Sequence, residues 1–338
     1  MKELIRQLCN APGAGGVSTA SELVKALVSE YADEVCIDAL GNVIATHKCG
    51  KEQAPVLLLE AHVDEIGFVV THVDEDGFVH VSNCGGIDRR VLAATEVTLL
   101  TKPPLDGVFC STPPHLAGDD NKLKSLDDMG IDIGYPAEQA KTLVEKGTRG
   151  VFRANFRELS EHLVCSKALD DRAGCAAVME AMRLLKDEEL SCDVVALFAV
   201  QEEIGGAGAT VATFSVAPTA AIATDVSFAL TPDATPHKCG KLGEGPMIGI
   251  SPTLDYALTE RIKDIAKRED IAVQYEVMGG STGTDADSIF VSKCGVPTAL
   301  LSIPQRYMHT PNEVVDVRDV EGVARLMVEV AKEGIVSC

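Results

Sequence analysis

Apolar runs and amphipathic segments alternate along most of the chain, and this pattern predicts its secondary structure. Short, nearly uninterrupted apolar runs indicate buried strands, and they lie at 55–65, 193–200, 219–225 and 296–303. Segments of helical period and composition lie at 17–31, 173–189, 251–270 and 320–334. Strands that alternate with helices are typical of an α/β fold whose sheet is flanked by helices on both faces.

Residues 70–160 follow a different pattern. Apolar and polar residues alternate over short stretches such as THVDEDGFVHVSN (71–83), and the segment 111–136 is rich in turn-forming residues. Short alternating strands separated by turns predict a small β-rich unit. We therefore expect a β-rich domain inserted at 70–160, within one discontinuous α/β domain that is formed by 1–69 and 161–338.

Composition narrows the possible partners. Acidic residues outnumber basic ones 51 to 30, which gives a formal net charge of -21 and makes nucleic acid or an anionic membrane surface a poor partner. No apolar run reaches the ~18–20 residues of a membrane span, and the N-terminal residues do not resemble a signal peptide. The eleven cysteines are odd in number and form no C-x-x-C pair. They are typical of reduced thiols, so we expect a cytoplasmic protein.

Each predicted buried strand leads to a candidate metal ligand at its carboxyl end. His62 follows the first apolar run, Glu202 and Glu203 follow the second, Asp225 ends the third, and His309 follows the fourth. Open α/β sheets bind ligands in the crevice beyond the carboxyl ends of their strands. These side chains are therefore expected to converge on one site.

A further candidate ligand is Asp170, which immediately precedes a predicted helix. Taken singly, it can be explained as a helix cap, and a lone histidine is more often a structural residue than a ligand. The whole set is harder to explain in this way. Two imidazoles and at least three carboxylates suit zinc, cobalt or manganese. They exceed what one ion needs, so two ions that share a carboxylate account for them best.

Two further features concern residues beside these ligands. Asp64 lies two residues after His62, and residues so spaced on an extended chain point the same way. Asp64 can then accept a hydrogen bond from the imidazole N–H that is not on the metal, although an ordinary surface acid is an equally good explanation. Adjacent residues on extended backbone point in opposite directions. Glu202 and Glu203 are therefore expected to do different jobs.

Several motifs together resemble one family of enzymes, the M42 metallo-aminopeptidases. The motifs occur in the family's order along nearly the whole chain: AHVDEIGF (61–68), PPHL (113–116), ALDDRAG (168–174), VQEEIGGAGA (200–209), ATD (223–225) and MHTPNE (308–313). The resemblance implies a zinc-peptidase-like mixed sheet flanked by helices, with an inserted β-rich dimerisation domain at 70–160. It also implies homo-oligomers, commonly tetrahedral dodecamers of dimers, whose active sites face an inner chamber.

The resemblance also implies a role for each candidate ligand. His62 and Asp225 would hold one metal ion, and Glu203 and His309 would hold the other. Asp170 would bridge the two ions. Zinc is the expected metal, with cobalt or manganese as alternatives, and two ions are expected per subunit.

Two more residues take roles from the family. Glu202 would act as general base and general acid, and Asp64 would orient His62. The implied activity is removal of N-terminal residues from short peptides, by means of a hydroxide that bridges the two ions. The preferred N-terminal residue cannot be deduced from the sequence, although the loop 277–288 is a candidate wall of its pocket.

Other activities have to be weighed against this one. Members of the family often carry an endoglucanase name, and an endo-glycosidase would use two opposed carboxylates. The chain has no Trp and only 4% aromatic residues, whereas sugar-binding clefts typically rely on aromatic faces. Deacylation of N-acylated amino acids by the same metal chemistry remains an alternative. A non-enzymatic metal-binding scaffold is disfavoured, because Glu202 and all the ligand candidates are present.

Overall fold

The computed structural model describes residues 1–16, 19–117 and 124–335 of the protein. Within these residues the strands are β1 (Glu34–Ile37), β2 (Val43–His47), β3 (Val56–His62), β4 (Gly67–Val73), β5 (Val79–Cys84), β6 (Glu96–Leu99), β7 (Leu105–Phe109), β8 (Gly130–Asp132), β9 (Arg149–Phe152), β10 (Arg157–Glu158), β11 (Leu163–Ser166), β12 (Asp193–Ala199), β13 (Ala220–Phe228), β14 (Met247–Ile250), β15 (Gln274–Val277), β16 (Thr298–Arg306) and β17 (Glu313–Asp316). The α-helices are α1 (Lys2–Asn10), α2 (Thr19–Val28), α3 (Pro114–Ala117), α4 (Ala137–Leu143), α5 (Leu169–Leu185), α6 (Ala207–Val216), α7 (Tyr256–Arg268), α8 (Ala286–Ile289) and α9 (Val317–Glu333).

Four parallel strands form the centre of a large mixed sheet. In spatial order they are β12, β3, β13 and β16, and they are the four strands that the apolar runs predict. The sheet continues through β2 and β1 on one side and through β17, β11 and β10 on the other, with antiparallel pairing. Because the central strands are parallel, their carboxyl ends meet at one edge of the sheet.

Helices cover both faces of these central strands. Leu57 and Leu59 of β3 point into a core that is shared with α5 and α9, whereas Leu58 points into a second core on the opposite face. Ala212 of α6 and Ile289 of α8 belong to that second core. Burial on both faces explains why the apolar run of β3 shows no alternation. The prediction of an α/β sheet between helices is therefore confirmed.

The predicted helices are also present. The patterns at 173–189, 251–270 and 320–334 correspond to α5, α7 and α9. The pattern at 17–31 corresponds to α2, which ends at Val28, and residues 17 and 18 of that prediction lie outside the described residues.

A closed six-stranded barrel interrupts the large sheet between β3 and β10. Its strands are β4, β5, β8, β7, β6 and β9 in order around the barrel. The barrel has its own hydrophobic core, in which the ring of Phe68 lies 5.1 Å from that of Phe109 and 5.3 Å from that of Phe152. The inserted β-rich unit of the expected fold is thus present. The boundaries of this inserted domain at residues 70 and 160, and its role in dimerisation, stay predictions.

The barrel begins very close to the end of β3. A Cβ atom on Gly67 would lie 2.5 Å from the Cβ of Ala14 and 2.6 Å from the carbonyl oxygen of Gly150, so no side chain fits there. Only four residues separate the end of β3 at His62 from the start of β4 at Gly67, so the first barrel strand begins next to the edge of the sheet where the predicted site residues lie.

Candidate metal centre

All seven predicted site residues lie together at the carboxyl edge of the parallel strands. His62 ends β3, Asp64 follows it, Asp170 lies in the first turn of α5, Glu202 and Glu203 lie in the turn after β12, Asp225 lies in β13, and His309 follows β16. Two local expectations were wrong. β13 continues to Phe228, so Asp225 lies within the strand. The glutamate pair lies in a turn, so the extended-backbone argument does not apply to it.

Asp170 lies between the two histidines. Its Oδ1 is 3.0 Å from Nε2 of His62, and its Oδ2 is 3.4 Å from Nε2 of His309. Nε2 of His309 is also 3.5 Å from Oε2 of Glu203. On the side of His62, Oδ1 of Asp225 is 3.8 Å from the imidazole Nε2. Each half of the site therefore contains one imidazole and one carboxylate of its own, with Asp170 between them.

A buried glutamate that the sequence analysis did not single out holds two of these residues. Glu313 accepts hydrogen bonds from the backbone N–H groups of Asp170, at 3.1 Å, and of His309, at 3.0 Å. Its side chain is fully enclosed at the start of β17. Glu313 closes the motif MHTPNE, so the motif contained the signal, but nothing in its local pattern distinguishes it from a surface acid.

The imidazole of His62 has one ring nitrogen without a close partner. Nδ1 lies 3.5 Å from Oδ1 of Asp64 and has no hydrogen bond to any described residue. Asp64 itself accepts hydrogen bonds from the backbone N–H groups of Glu202, at 3.1 Å, and Glu203, at 3.3 Å. Asp64 therefore lies beside His62 and holds the turn that carries the glutamate pair, and its role in orienting His62 stays a prediction.

Glu202 takes a different position from the other carboxylates. Its Oε2 lies 3.9 Å from Nε2 of His62, and it lines the cavity in front of the site together with Glu203, Asp170 and Asp225. Glu203 is enclosed more deeply, with 4% of its side chain exposed against 18% for Glu202. The two adjacent glutamates therefore face different surroundings, although the reason is the turn and not strand alternation.

The electrostatics of the site show an excess of negative charge. Burial, followed by the charge of Asp170, raises the pKa of Glu203 to about 10. Burial likewise raises the pKa of Asp225 well above its usual value. Burial on its own lowers the pKa of His62, but its contacts with Asp170 and Asp64 outweigh this and raise that pKa. Among the described residues, the two imidazoles are the only basic groups that pair with these carboxylates, and divalent cations would supply the remaining positive charge.

A second layer of buried acids lies behind His62, and the sequence analysis did not predict it. Asp171, Glu60 and Asp285 are buried, and each has at least one carboxylate oxygen without a hydrogen-bond partner among the described residues. Burial raises the pKa of Glu60, and the charge of Asp285 adds to this effect. Glu60 lies within an apolar run, where a buried acid gives no periodic signal.

The donor set fits a metal centre. Ligand atoms of His62, Asp170 and Glu203 lie within 4.8 Å of one another, and those of His62, Asp171 and Asp225 form a second such group. Imidazole nitrogens and carboxylate oxygens, without thiolates, suit zinc, cobalt or manganese. Asp171 belongs to the second group, and its Oδ2 has no hydrogen-bond partner among the described residues, although buried polar groups normally have one.

A cavity of about 340 Å³ opens in front of these residues. Its lining includes Glu202, Glu203 and His309, the end of β13, and the loop residues Thr282–Thr284, which belong to the predicted wall 277–288. The barrel closes one side, where a Cβ atom on Gly86 would lie only 3.0 Å from Nδ1 of His309. A buried imidazole–carboxylate cluster at the base of such a cavity, on an α/β sheet, is typical of metal-dependent hydrolases.

Comparison with known proteins identifies the family. Residues 41–326 match the family described as M42 glutamyl aminopeptidase. The lysyl aminopeptidase of Pyrococcus furiosus is 38% identical over 332 residues, which cover 96% of this chain and 94% of that protein. The chain belongs to the M42 family of aminopeptidases. It is an aminopeptidase, a hydrolase of peptide bonds, as the motifs predict.

Solved structures agree with this assignment. Aminopeptidase APDkam598 from the archaeon Desulfurococcus kamchatkensis has a TM-score of 0.92 and 32% identity, over 98% of this chain and 94% of that one. The TET1 peptidase of Pyrococcus horikoshii has a TM-score of 0.85 and 33% identity, over 98% and 99% of the two chains. That peptidase is described as assembling into a tetrahedron or a large octahedral shell. None of the helices in the described residues has the length and apolarity that crossing a membrane requires.

Proposed function

We propose that this aminopeptidase uses a co-catalytic centre of two divalent metal ions to remove N-terminal residues from short peptides. The observation that carries the proposal is the position of Asp170, whose two carboxylate oxygens contact two different histidines. A carboxylate in that position is suited to bridge two ions. His62 and Asp225 would complete one ion's ligands, and Glu203 and His309 would complete the other's. Zinc is the metal that this donor set suits best, with cobalt or manganese as alternatives.

When bound, the ions supply Lewis acidity that polarises the scissile carbonyl and activates water. The protein's own residues then transfer the proton and keep the ligands in position. Glu202 takes the proton from the attacking water at its carboxylate and passes it to the leaving amine, because it is the more exposed of the two adjacent glutamates in the cavity and its Oε2 lies 3.9 Å from Nε2 of His62. Asp64 keeps the imidazole of His62 in orientation. Glu313 keeps the backbones of Asp170 and His309 in place.

The cavity supports exopeptidase action on small substrates. Its volume of about 340 Å³ is at the lower end of the range of about 300–1,000 Å³ that small-molecule sites show, which suits the end of a peptide. We also propose a homo-oligomer built from dimers that contact through or beside the barrel. The tetrahedral and octahedral assemblies described for the TET1 peptidase support a homo-oligomer. Light scattering at working concentration tests the assembly, and a purely monomeric protein would contradict it.

Metal removal tests the activity. Protein treated with a chelator should lose hydrolysis of aminoacyl p-nitroanilides and regain it with zinc, cobalt or manganese. Metal binding should also stabilise the fold by about 2.7 kcal/mol at a free metal concentration 100 times the Kd. Elemental analysis must accompany both measurements. Full activity in protein shown to be metal-free would contradict the proposal, as would hydrolysis of glycosyl but not aminoacyl substrates.

A further inference from the structure

The cavity contains one carboxylate that the proposed metal centre does not use. Glu276 of β15 lines the same cavity as Glu202 and His309. We propose that Glu276 selects peptides whose N-terminal residue carries a cationic side chain, lysine or arginine. This inference rests on the proposed aminopeptidase site and specifies its substrate class.

Two hydroxyl groups fix the carboxylate of Glu276 in position. The Oγ of Ser227 donates a hydrogen bond to Oε1, and the Oγ of Ser302 donates one to Oε2 at 2.9 Å. These serines lie on the neighbouring parallel strands β13 and β16, whose relative register is set by the sheet. The carboxylate accepts at both oxygens and keeps further lone pairs for a ligand. It is therefore a preorganised acceptor, not a mobile surface side chain.

The distance from the metal centre suits a long side chain. Asp225 and Ser227 are two residues apart on β13, so they point to the same face and are separated by about 7 Å along the strand. Both residues line the cavity. A substrate with its terminal amine near Asp225 would thus direct its first side chain along β13 towards Ser227 and Glu276. The four-carbon stem of lysine suits this span and places its ammonium group beside the carboxylate.

The charge balance of the cavity favours a cation at this point. No Lys, Arg or His nitrogen of the described residues forms an ion pair with Glu276, and the only basic residue among those that line the cavity is His309. His309 contacts Asp170 and Glu203 instead. A lysine or arginine side chain would pair with Glu276, whereas a glutamate side chain would be repelled by it.

A norleucine substrate tests the effect of charge separately from that of shape, because the norleucine side chain has the shape of lysine's but lacks the ammonium group. With metal-loaded protein, we expect kcat/KM for the lysine p-nitroanilide to exceed that for the norleucine p-nitroanilide by about 10- to 100-fold. The Glu276→Gln variant should lower this ratio by a similar factor, mainly through the lysine substrate. Glu276→Asp, which keeps the charge, should retain part of the preference. The matched control is Glu321→Gln, an equal charge change at an exposed position of α9.

The outcomes distinguish this inference from the proposed function. Equal rates for lysine and norleucine substrates, or a Glu276→Gln variant with an unaltered ratio, would overturn the role of Glu276 while leaving the aminopeptidase intact. A ratio that falls equally in Glu321→Gln would also overturn it, because the effect would then be one of net charge. Absence of hydrolysis for every aminoacyl substrate would refute the proposed function, and this inference with it.

Discussion

The carboxylate of Glu313 accepts a hydrogen bond from the backbone N–H of His309 at 3.0 Å, and its other oxygen accepts one from Asp170. One buried side chain thus links two candidate ligands that are far apart in the sequence. A ligand's position is as important as its chemistry, because metal affinity depends on the groups that hold the ligands in orientation. We therefore expect Glu313 to position ligands of the proposed metal centre without binding an ion itself.

Replacing Glu313 tests this positioning role. Glu313→Gln keeps the shape of the side chain, but the new amide has only one oxygen to accept from the two backbone N–H groups. Its NH2 group would face the second N–H group. We expect metal affinity to fall by about 10- to 100-fold, and excess metal to restore much of the activity. Metal titration followed by elemental analysis measures this, with Glu321→Gln as the control. A variant with unaltered metal affinity would show that Glu313 has only a structural role.

The glutamate pair offers a test of the two proposed roles. Glu202→Gln should retain both metal ions and lose at least ~100-fold in kcat, because general acid–base catalysis typically contributes ~10²–10⁴-fold. Glu203→Gln should instead lower the occupancy of one ion, and added metal should partly restore its activity. Metal content and kinetics are measured on both variants. If Glu202→Gln loses metal while Glu203→Gln loses only turnover, the two roles are reversed.

A buried ion pair near the site should be important for stability. Lys167 lies 2.6 Å from Glu65, and both side chains are 2% exposed. Lys167→Met would leave the buried carboxylate of Glu65 with only the more distant guanidinium of Arg172, at 4.0 Å, and losing the nearer partner should cost up to about 3–5 kcal/mol of unfolding free energy. The exposed pair Lys141–Glu75 provides the control, since Lys141→Met should cost less than about 1 kcal/mol. Chemical unfolding followed by circular dichroism compares them. Equal losses would contradict the predicted difference.

Cysteine reactivity gives a prediction that is independent of the metal. Burial raises the pKa of the Cys9 thiol to about 12, so almost no thiolate forms below pH 9. Native protein should leave Cys9 unlabelled by a thiol reagent between pH 7 and 9, whereas the exposed Cys36 and Cys294 react. Mass spectrometry of the labelled peptides, with urea-unfolded protein as control, identifies the sites. Rapid labelling of native Cys9 would contradict the burial that the structure shows.

Local pattern was sufficient to predict the framework of this protein. The apolar runs that became β3, β12, β13 and β16 are recognisable because strands buried on both faces need nearly continuous apolar residues. The position of candidate ligands after those runs followed from the same pattern, because parallel strands bring their carboxyl ends to one edge. Even there, local details differed. Asp225 lies inside its strand and the glutamate pair lies in a turn, since the exact end of a strand depends on the hydrogen bonds of its neighbours.

Only the tertiary structure decided how distant residues meet. Three sets of contacts join residues on different elements. Asp170 contacts both histidines, Glu313 accepts hydrogen bonds from two ligand backbones, and two serines donate hydrogen bonds to Glu276. No period in the sequence encodes such a contact, because it depends on the register of strands and on crossover connections. The closure of the barrel is equally non-local. The sequence by itself therefore determined which elements and which chemical groups are present, and the packing of those elements decided which groups touch.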